Sequence, residues 1–276
     1  MRTTIDRATT RAHFFYAKRL VIKALLAGAL VSGMTQASHA TEPSERTLAD
    51  AWLETLSQQA TPISWSHAYA LLLPDQQRQP QQRRYLTEEL GTLVISAQVT
   101  GNTIYAQALL KWQEALRSLE NEAVRSPQRL DLLALGTHLR EAPLLGNVAY
   151  WGVCDIPDWV EVWGLQGVSR AAWRPNMTID DVKKALPEHA FKNVDHAYLI
   201  TPQGNVLRRG IAAWNHEATP LAPGSRLLIE LPNRQGLMGA FAFPGTTEEP
   251  DIINQRLPGV LAAQLPGDQC TQWHAP

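Results

Sequence analysis

Cysteine is nearly absent from this chain: Cys154 and Cys270 are the only two among 276 residues, with no C-x-x-C pair and no His-Cys cluster. That excludes a zinc finger and a thioredoxin-like redox motif. The eight histidines are scattered without an H-x-x-x-H spacing, so they offer no helical metal site. No metal or other cofactor is expected. No run of about 20 apolar residues occurs beyond the N-terminal region, which leaves nothing else there to span a bilayer as a helix. Tandem repeats are missing as well, and so are basic runs after residue 40, which argues against nucleic acid and anionic lipid as partners.

The N-terminus sets the expected compartment. Arg2, Arg7, Arg11, Lys18 and Arg19 precede the apolar stretch Leu20 to Gly33, and Ser38-His-Ala40 places small residues where a signal peptidase reads them. Lys23 interrupts an apolar run that is already short for a membrane anchor. The pattern predicts a signal peptide over 1–40, cleaved after Ala40, and a periplasmic mature chain. Residues 1–40 hold six of the 25 Lys+Arg and one of the 26 Asp+Glu, leaving 19 and 25, a net charge of −6. In an oxidising compartment Cys154 and Cys270 are a candidate disulfide; sequence alone leaves the pairing open, since a bridge needs close, well-directed Cβ atoms.

What is present is clearest between Trp159 and Leu231. Asp158 to Gly167 alternates apolar and charged residues, the period of a half-buried strand, and Val168 to Trp173 follows as a hairpin partner. Thr178-Ile-Asp-Asp181 is a capping box for a short helix that ends before Pro187. Ala197 to Thr201 and Val206 to Gly210 flank a Pro202-Gln-Gly-Asn205 turn, and Arg226 to Leu231 forms a last strand. Hairpin, helix and further strands in about 75 residues suit a sheet folded across one helix, the β-grasp arrangement.

Upstream, Leu48, Trp52, Leu53 and Leu56 predict an amphipathic helix over Thr47 to Gln59. Pro62 to Leu73 reads as extended chain entering a short helix that stops at Pro74, and Gln76 to Gln82 as a low-complexity stretch. Leu86, Leu90 and Leu93, then Ile104, Ala108, Trp112, Leu116 and Leu119 after a Thr100-Gly-Asn102 turn, predict an antiparallel helical hairpin. Ile253, Leu257, Val260, Leu261 and Leu265 predict an amphipathic helix near the C-terminus, bent at Pro258-Gly259.

Three segments, in this order, resemble the capsule biosynthesis GfcC family: Ile63 to Tyr69 with Gln81 to Leu90; Val160 to Gly167; and Ala197 to Val206 with Ala213-Trp-Asn215, Leu221 to Ser225 and Asp251 to Asn254. The resemblance implies an α+β fold of two β-grasp domains, similar to the SLBB-like periplasmic domains of outer-membrane polysaccharide exporters. It implies an inserted helical hairpin and an amphipathic helix closing the chain. The expected organisation is a first β-grasp domain over 41–152 with the insertion at about 82–121, a second over 153–232, and a connector plus helix over 233–276. The short polar segment Thr41 to Arg46 leaves little room for the family's opening strand pair, so the first domain is expected to be incomplete or rearranged. The implied role is accessory: assembly or export of capsule or exopolysaccharide, with the surface polysaccharide or outer-membrane export proteins as partners. The resemblance brings no catalytic residues.

Enzyme signatures are weak. Gly167-Val-Ser-Arg-Ala171 lies between two strands, where a nucleophile elbow needs a strand-to-helix turn. Asp155, Asp158 and Glu161 beside Trp159 and Trp163 suggest a glycosidase, but the acid and base must flank one bond at a set separation, which local spacing does not establish. A polysaccharide-trimming enzyme therefore stands as the rival to a binding role. Nine tryptophans are chiefly candidates for the core, with stacking on sugar rings as the alternative. Trp159 and Trp163 share one face of their strand, and Trp214 is expected to pack with them. Arg129 and Arg140 occupy family arginine positions; an exposed guanidinium there presents a planar fork to a carboxylate, while Asp131 is an alternative structural partner for Arg129.

Overall fold

The computed structural model describes residues 45–187, 191, 194–232 and 249–275. The signal peptide expected over 1–40 and most of the connector expected after Pro232 lie outside the described residues. The fold is α+β, with two sheets and helices packed on both.

Helix α1 (Leu48–Gln58) starts where Thr47 and Asp50 exchange side-chain-to-backbone bonds in a capping box. Its inward face is Leu48, Trp52 and Thr55, whereas Leu53 and Leu56 face solvent, one position round the helix from the expected stripe. The first sheet has the order β1-β2-β8, all antiparallel: β1 (Ala68–Leu72), β2 (Val148–Cys154) and β8 (Cys270–Trp273). Ala68, Ala70, Trp151 and Trp273 cover α1 from one face; Tyr69, Leu71, Tyr150 and Cys154 point to the other, as the strand period requires.

Helix α2 (Leu73–Val99) begins earlier than the sequence reading placed it and absorbs the whole Gln/Arg/Pro stretch. Pro74 does not stop a helix here; it opens one, because the first turn has no intrahelical use for its missing N–H. Pro80 sits inside the helix, and the inward side chains around it are polar: Asp75, Gln79, Arg83 and Thr87, four residues apart, are all buried. Asp75 accepts a 2.5 Å bond from the Ser126 hydroxyl and pairs with Arg78, which explains an otherwise costly buried carboxylate. Past Arg83 the stripe turns apolar. Leu86, Leu90, Leu93 and Ala97 pack on Tyr105, Leu109, Trp112 and Leu116 of α3 (Thr103–Ser118).

The five-stranded second sheet has the order β4-β3-β7-β5-β6, from β3 (Trp159–Gly164), β4 (Gly167–Ala172), β5 (His196–Ile200), β6 (Val206–Gly210) and β7 (Arg226–Ile229). Two antiparallel hairpins flank a parallel β3–β7 pair. The 202–205 turn carries Gly204 at φ +91°, a conformation that disfavours any side chain. Helix α5 (Ile179–Ala185), held by the Thr178–Asp181 capping box, covers one face through Ile179 and Val182 against Val160, Val162, Leu199 and Leu227. The opposite face meets the helical hairpin and α6 (Glu249–Ala262), with Trp163, Ile200 and Leu228 packed against Ile253, Leu257 and Leu261. Asn254 fastens α6 by bonding both the N–H and the carbonyl of Leu231 (2.8 and 2.9 Å).

A short helix, α4 (Leu132–Thr137), follows the hairpin and is capped by Asp131. One expectation changes. The amphipathic helix does not close the chain, since α6 ends at Ala262 and the tail returns as β8 beside β2.

Candidate functional site

Three places gather the chain's chemistry-bearing side chains. The first is a cleft of about 500 Å³ between the inner face of the first sheet and the β4–β3–β7 edge of the second, lined by Tyr69, Glu122, Arg170, Arg226, Asp268 and Gln272 among others. Strand alternation puts Trp159, Glu161 and Trp163 on the face turned this way. Arg170 lies 4.0 Å above the Trp159 ring and Arg226 5.7 Å from it, both within cation–π range. The Trp159 indole N–H donates to Asp268 at 2.9 Å, and Arg170 grips the same carboxylate through two bonds of 2.9 and 3.1 Å. Glu161 accepts from Trp163 at 2.8 Å and from Arg170 and Arg226 at 3.3 Å each.

Burial works against the Arg170 cation, but its bonds to Asp268 and Glu161 outweigh that and raise its pKa. Arg226 is more deeply placed: burial pulls it below the ordinary value, and Glu161 offsets only part. The Tyr69 phenol is buried without a hydrogen-bond partner among the described residues, and burial pushes its pKa up. The two carboxylates and two guanidiniums neutralise one another, forming a strut that ties β3, β4 and β7 to the tail.

The second place is Arg125, which the sequence reading passed over in favour of Arg129 and Arg140. Only 2 % exposed, it donates from Nε to the Ala262 carbonyl at 2.8 Å and from a terminal nitrogen to the Pro202 carbonyl; its other terminal nitrogen is buried and has no hydrogen-bond partner among the described residues. Burial and the nearby Arg226 charge lower its pKa to about 9. The C-terminal carbonyls of α6 supply the negative end of a helix dipole, which suits a cation with no carboxylate partner among the described residues. Arg125 thereby joins the end of the helical hairpin, α6 and the β5–β6 turn. Nothing in Val124-Arg-Ser-Pro127 distinguishes it from a surface arginine.

The third place is Trp214, 73 % exposed in the turn after β6. Its indole N–H meets Asp195 at 3.3 Å, and the His196 ring stands edge-on to it at 6.3 Å between centroids.

The candidates named from sequence do not form one site. Trp163 is 1 % exposed and packs edge-on against Trp112 at 5.8 Å, so no ligand reaches its ring. Trp159 is buried beneath the two arginines. Trp214 does not pack with them as expected; it belongs to the β5–β6 side of the sheet, because the chain leaves β6 at Gly210 into a turn of its own. Arg129 pairs with Asp131 through bonds of 3.0 and 3.2 Å, the structural partner foreseen as the alternative, at a surface hollow beside Leu130, Leu133 and His138. Arg140 is exposed in a short 3₁₀ turn. Cys154 and Cys270 face each other across β2 and β8, with their sulfurs 2.04 Å apart in a disulfide.

Residues 167–266, from β4 through α6, match a family model described as capsule biosynthesis GfcC C-terminal. No curated protein matches the chain. Over that span the chain resembles the GfcC capsule biosynthesis family.

Proposed function

We propose that this protein is a periplasmic accessory factor in the assembly or export of a capsule or exopolysaccharide, acting by binding glycan or the export machinery. The match of residues 167–266 to the capsule biosynthesis family carries the reading. The strand order β4-β3-β7-β5-β6, with its central parallel pair and one helix across the sheet, supports a β-grasp, SLBB-like second domain. The three-stranded β1-β2-β8 sheet supports an incomplete first one. Periplasmic placement is supported by the basic and apolar N-terminal stretch ahead of Ala40.

A binding role is favoured over polymer cleavage by what the acidic residues do. Glu161, the strand carboxylate of the Asp155/Asp158/Glu161 cluster, accepts hydrogen bonds from Trp163, Arg170 and Arg226, which commits both of its oxygens to holding the fold. Deleting the gene in its own host and measuring extracted surface polysaccharide tests the role. Loss of surface polymer, restored by the wild-type gene, is the expected result; unchanged polymer overturns it. Purified protein incubated with the native polymer should release no reducing ends, and steady release would establish the trimming enzyme instead.

A further inference from the structure

We infer that the turn over residues 211–217 is a glycan-stacking platform that holds a neutral sugar ring against Trp214. The inference rests on the polysaccharide role proposed above and assigns that role's glycan contact to one place.

The turn is built before any ligand arrives. Gly210 lies so close to the returning chain that a Cβ there would fall 1.9 Å from the Asn215 carbonyl oxygen, so only glycine lets the turn fold back. The Asn215 side chain closes it, accepting from the Ala212 N–H at 3.0 Å and donating to the Asp195 carbonyl at 3.0 Å. Glu217 completes the return through the Gly210 N–H at 3.2 Å. Asp195 and His196 then fix the indole itself. Trp214 is therefore the most exposed large apolar side chain among the described residues and also one of fixed orientation. An indole left in water forfeits the large burial that normally holds tryptophan in place.

The surroundings select the occupant. From Asp195 to Thr219 the other exposed large apolar residue is Val206, at the far end of β6, so among the described residues of this segment Trp214 is the one large apolar side chain presented at the turn. A protein partner is recognised by a contiguous buried apolar centre. A sugar ring asks for the reverse, one apolar face to cover and a rim of donors and acceptors for its hydroxyls. Arg209 pairs with Glu217 at 2.8 Å and Arg208 with Glu230 at 2.5 Å in that rim, His216 is hydrogen-bonded to Asp180 at 2.8 Å, and Asp195 is engaged by the indole N–H. A neutral ring costs none of these pairs, whereas a uronate would compete with them.

The test titrates surface polysaccharide purified from the source cells, and a panel of neutral and uronic-acid oligosaccharides, into wild-type protein, Trp214→Ala and Trp214→Phe by calorimetry. Because Trp214 is exposed, the variants should melt like the wild type. Support is wild-type binding to the polymer and to neutral oligosaccharides, weakened about tenfold in Trp214→Ala and largely kept in Trp214→Phe. Equal affinity in wild type and Trp214→Ala overturns the platform and leaves the accessory role standing, since the deletion phenotype measures that separately. Wild-type protein that binds no glycan, or only uronates, overturns it as well.

Discussion

Breaking the Cys154–Cys270 disulfide should cost the protein a large part of its stability, and the size follows from topology. The two residues are 116 apart in sequence, so the bridge closes nearly half the chain into a loop. In the chain-entropy account, a loop of that length limits the unfolded ensemble by about 5 kcal/mol, and measured native bridges mostly give 2–4 kcal/mol. The folded state gains little back on reduction. β8 keeps its pairing with β2 over four residue pairs, and Asp268 stays tied to Arg170 and Trp159. Taking about 3 kcal/mol, and about 2–4 °C per kcal/mol for a domain of this size, the melting temperature should fall by roughly 6–12 °C. Because Cys154 is buried, the protein should be reduced in denaturant and refolded under reductant, with two thiols per chain confirmed by titration before calorimetry. The Cys154→Ser/Cys270→Ser double variant should reproduce the shift. A drop below about 2 °C with both thiols free would refute the reasoning, because it would mean the loop does not restrain the unfolded chain.

Three further outcomes follow from the packing and charge placement. Trp163→Ala, which empties a site shared with Trp112, should destabilise by about 3–5 kcal/mol in urea unfolding, while Trp214→Ala should stay within about 0.5 kcal/mol; similar values for both would contradict the burial assignments. Gly210→Ala forces the 211–217 turn to move and should cost about 1–3 kcal/mol while weakening glycan binding as Trp214→Ala does; tight binding by this variant would argue against a preformed turn. Several carboxyls have lowered pKa values: Asp50 and Asp181 through the backbone N–H of their capping partners, Glu217 through the Gly210 N–H, and Asp268 because its bonds from Arg170 and Trp159 overcome the opposing effect of burial. Since each folded value lies below the unfolded one, their stabilisation is complete above the ordinary carboxylate range, about pH 4, and drains away as pH falls through the folded values. Stability measured against pH should hold steady down to about pH 5 and decline below about pH 4, with a shallower decline in Asp268→Asn.

The second sheet was legible because its strands carry their period openly. Val160 and Val162 point one way, Trp159 and Trp163 the other, and Thr178 with Asp181 marks the helix start in four letters. The first sheet was legible only in part: Pro62 to Leu73 reads as extended chain and holds β1, but the strands come from three distant segments and β8, Cys270–Trp273, is too short and polar to announce itself. α2 was misjudged at its N-terminal half because Asp75, Gln79 and Arg83 face inward; a buried polar stripe has the composition of a loop, and only the Ser126 and Arg78 partners reveal why it is tolerated. The same blindness hid Arg125, whose partners are backbone carbonyls from residues 77 and 137 positions away. Trp159, Trp163 and Trp214 look alike on paper. What separates the first two from the third is their cover: Trp112 of the helical hairpin against Trp163, and Arg170 with Arg226 over Trp159.

That first sheet also imposes an order of events. β2 is its middle strand, yet the partner on one side of it is Cys270–Trp273, whose first residue lies 116 positions after Cys154 and is synthesised that much later. Until they arrive, one edge of β2 stays open and Cys154 stays a thiol. The first sheet must therefore wait, part-built, for a strand made long after its other two.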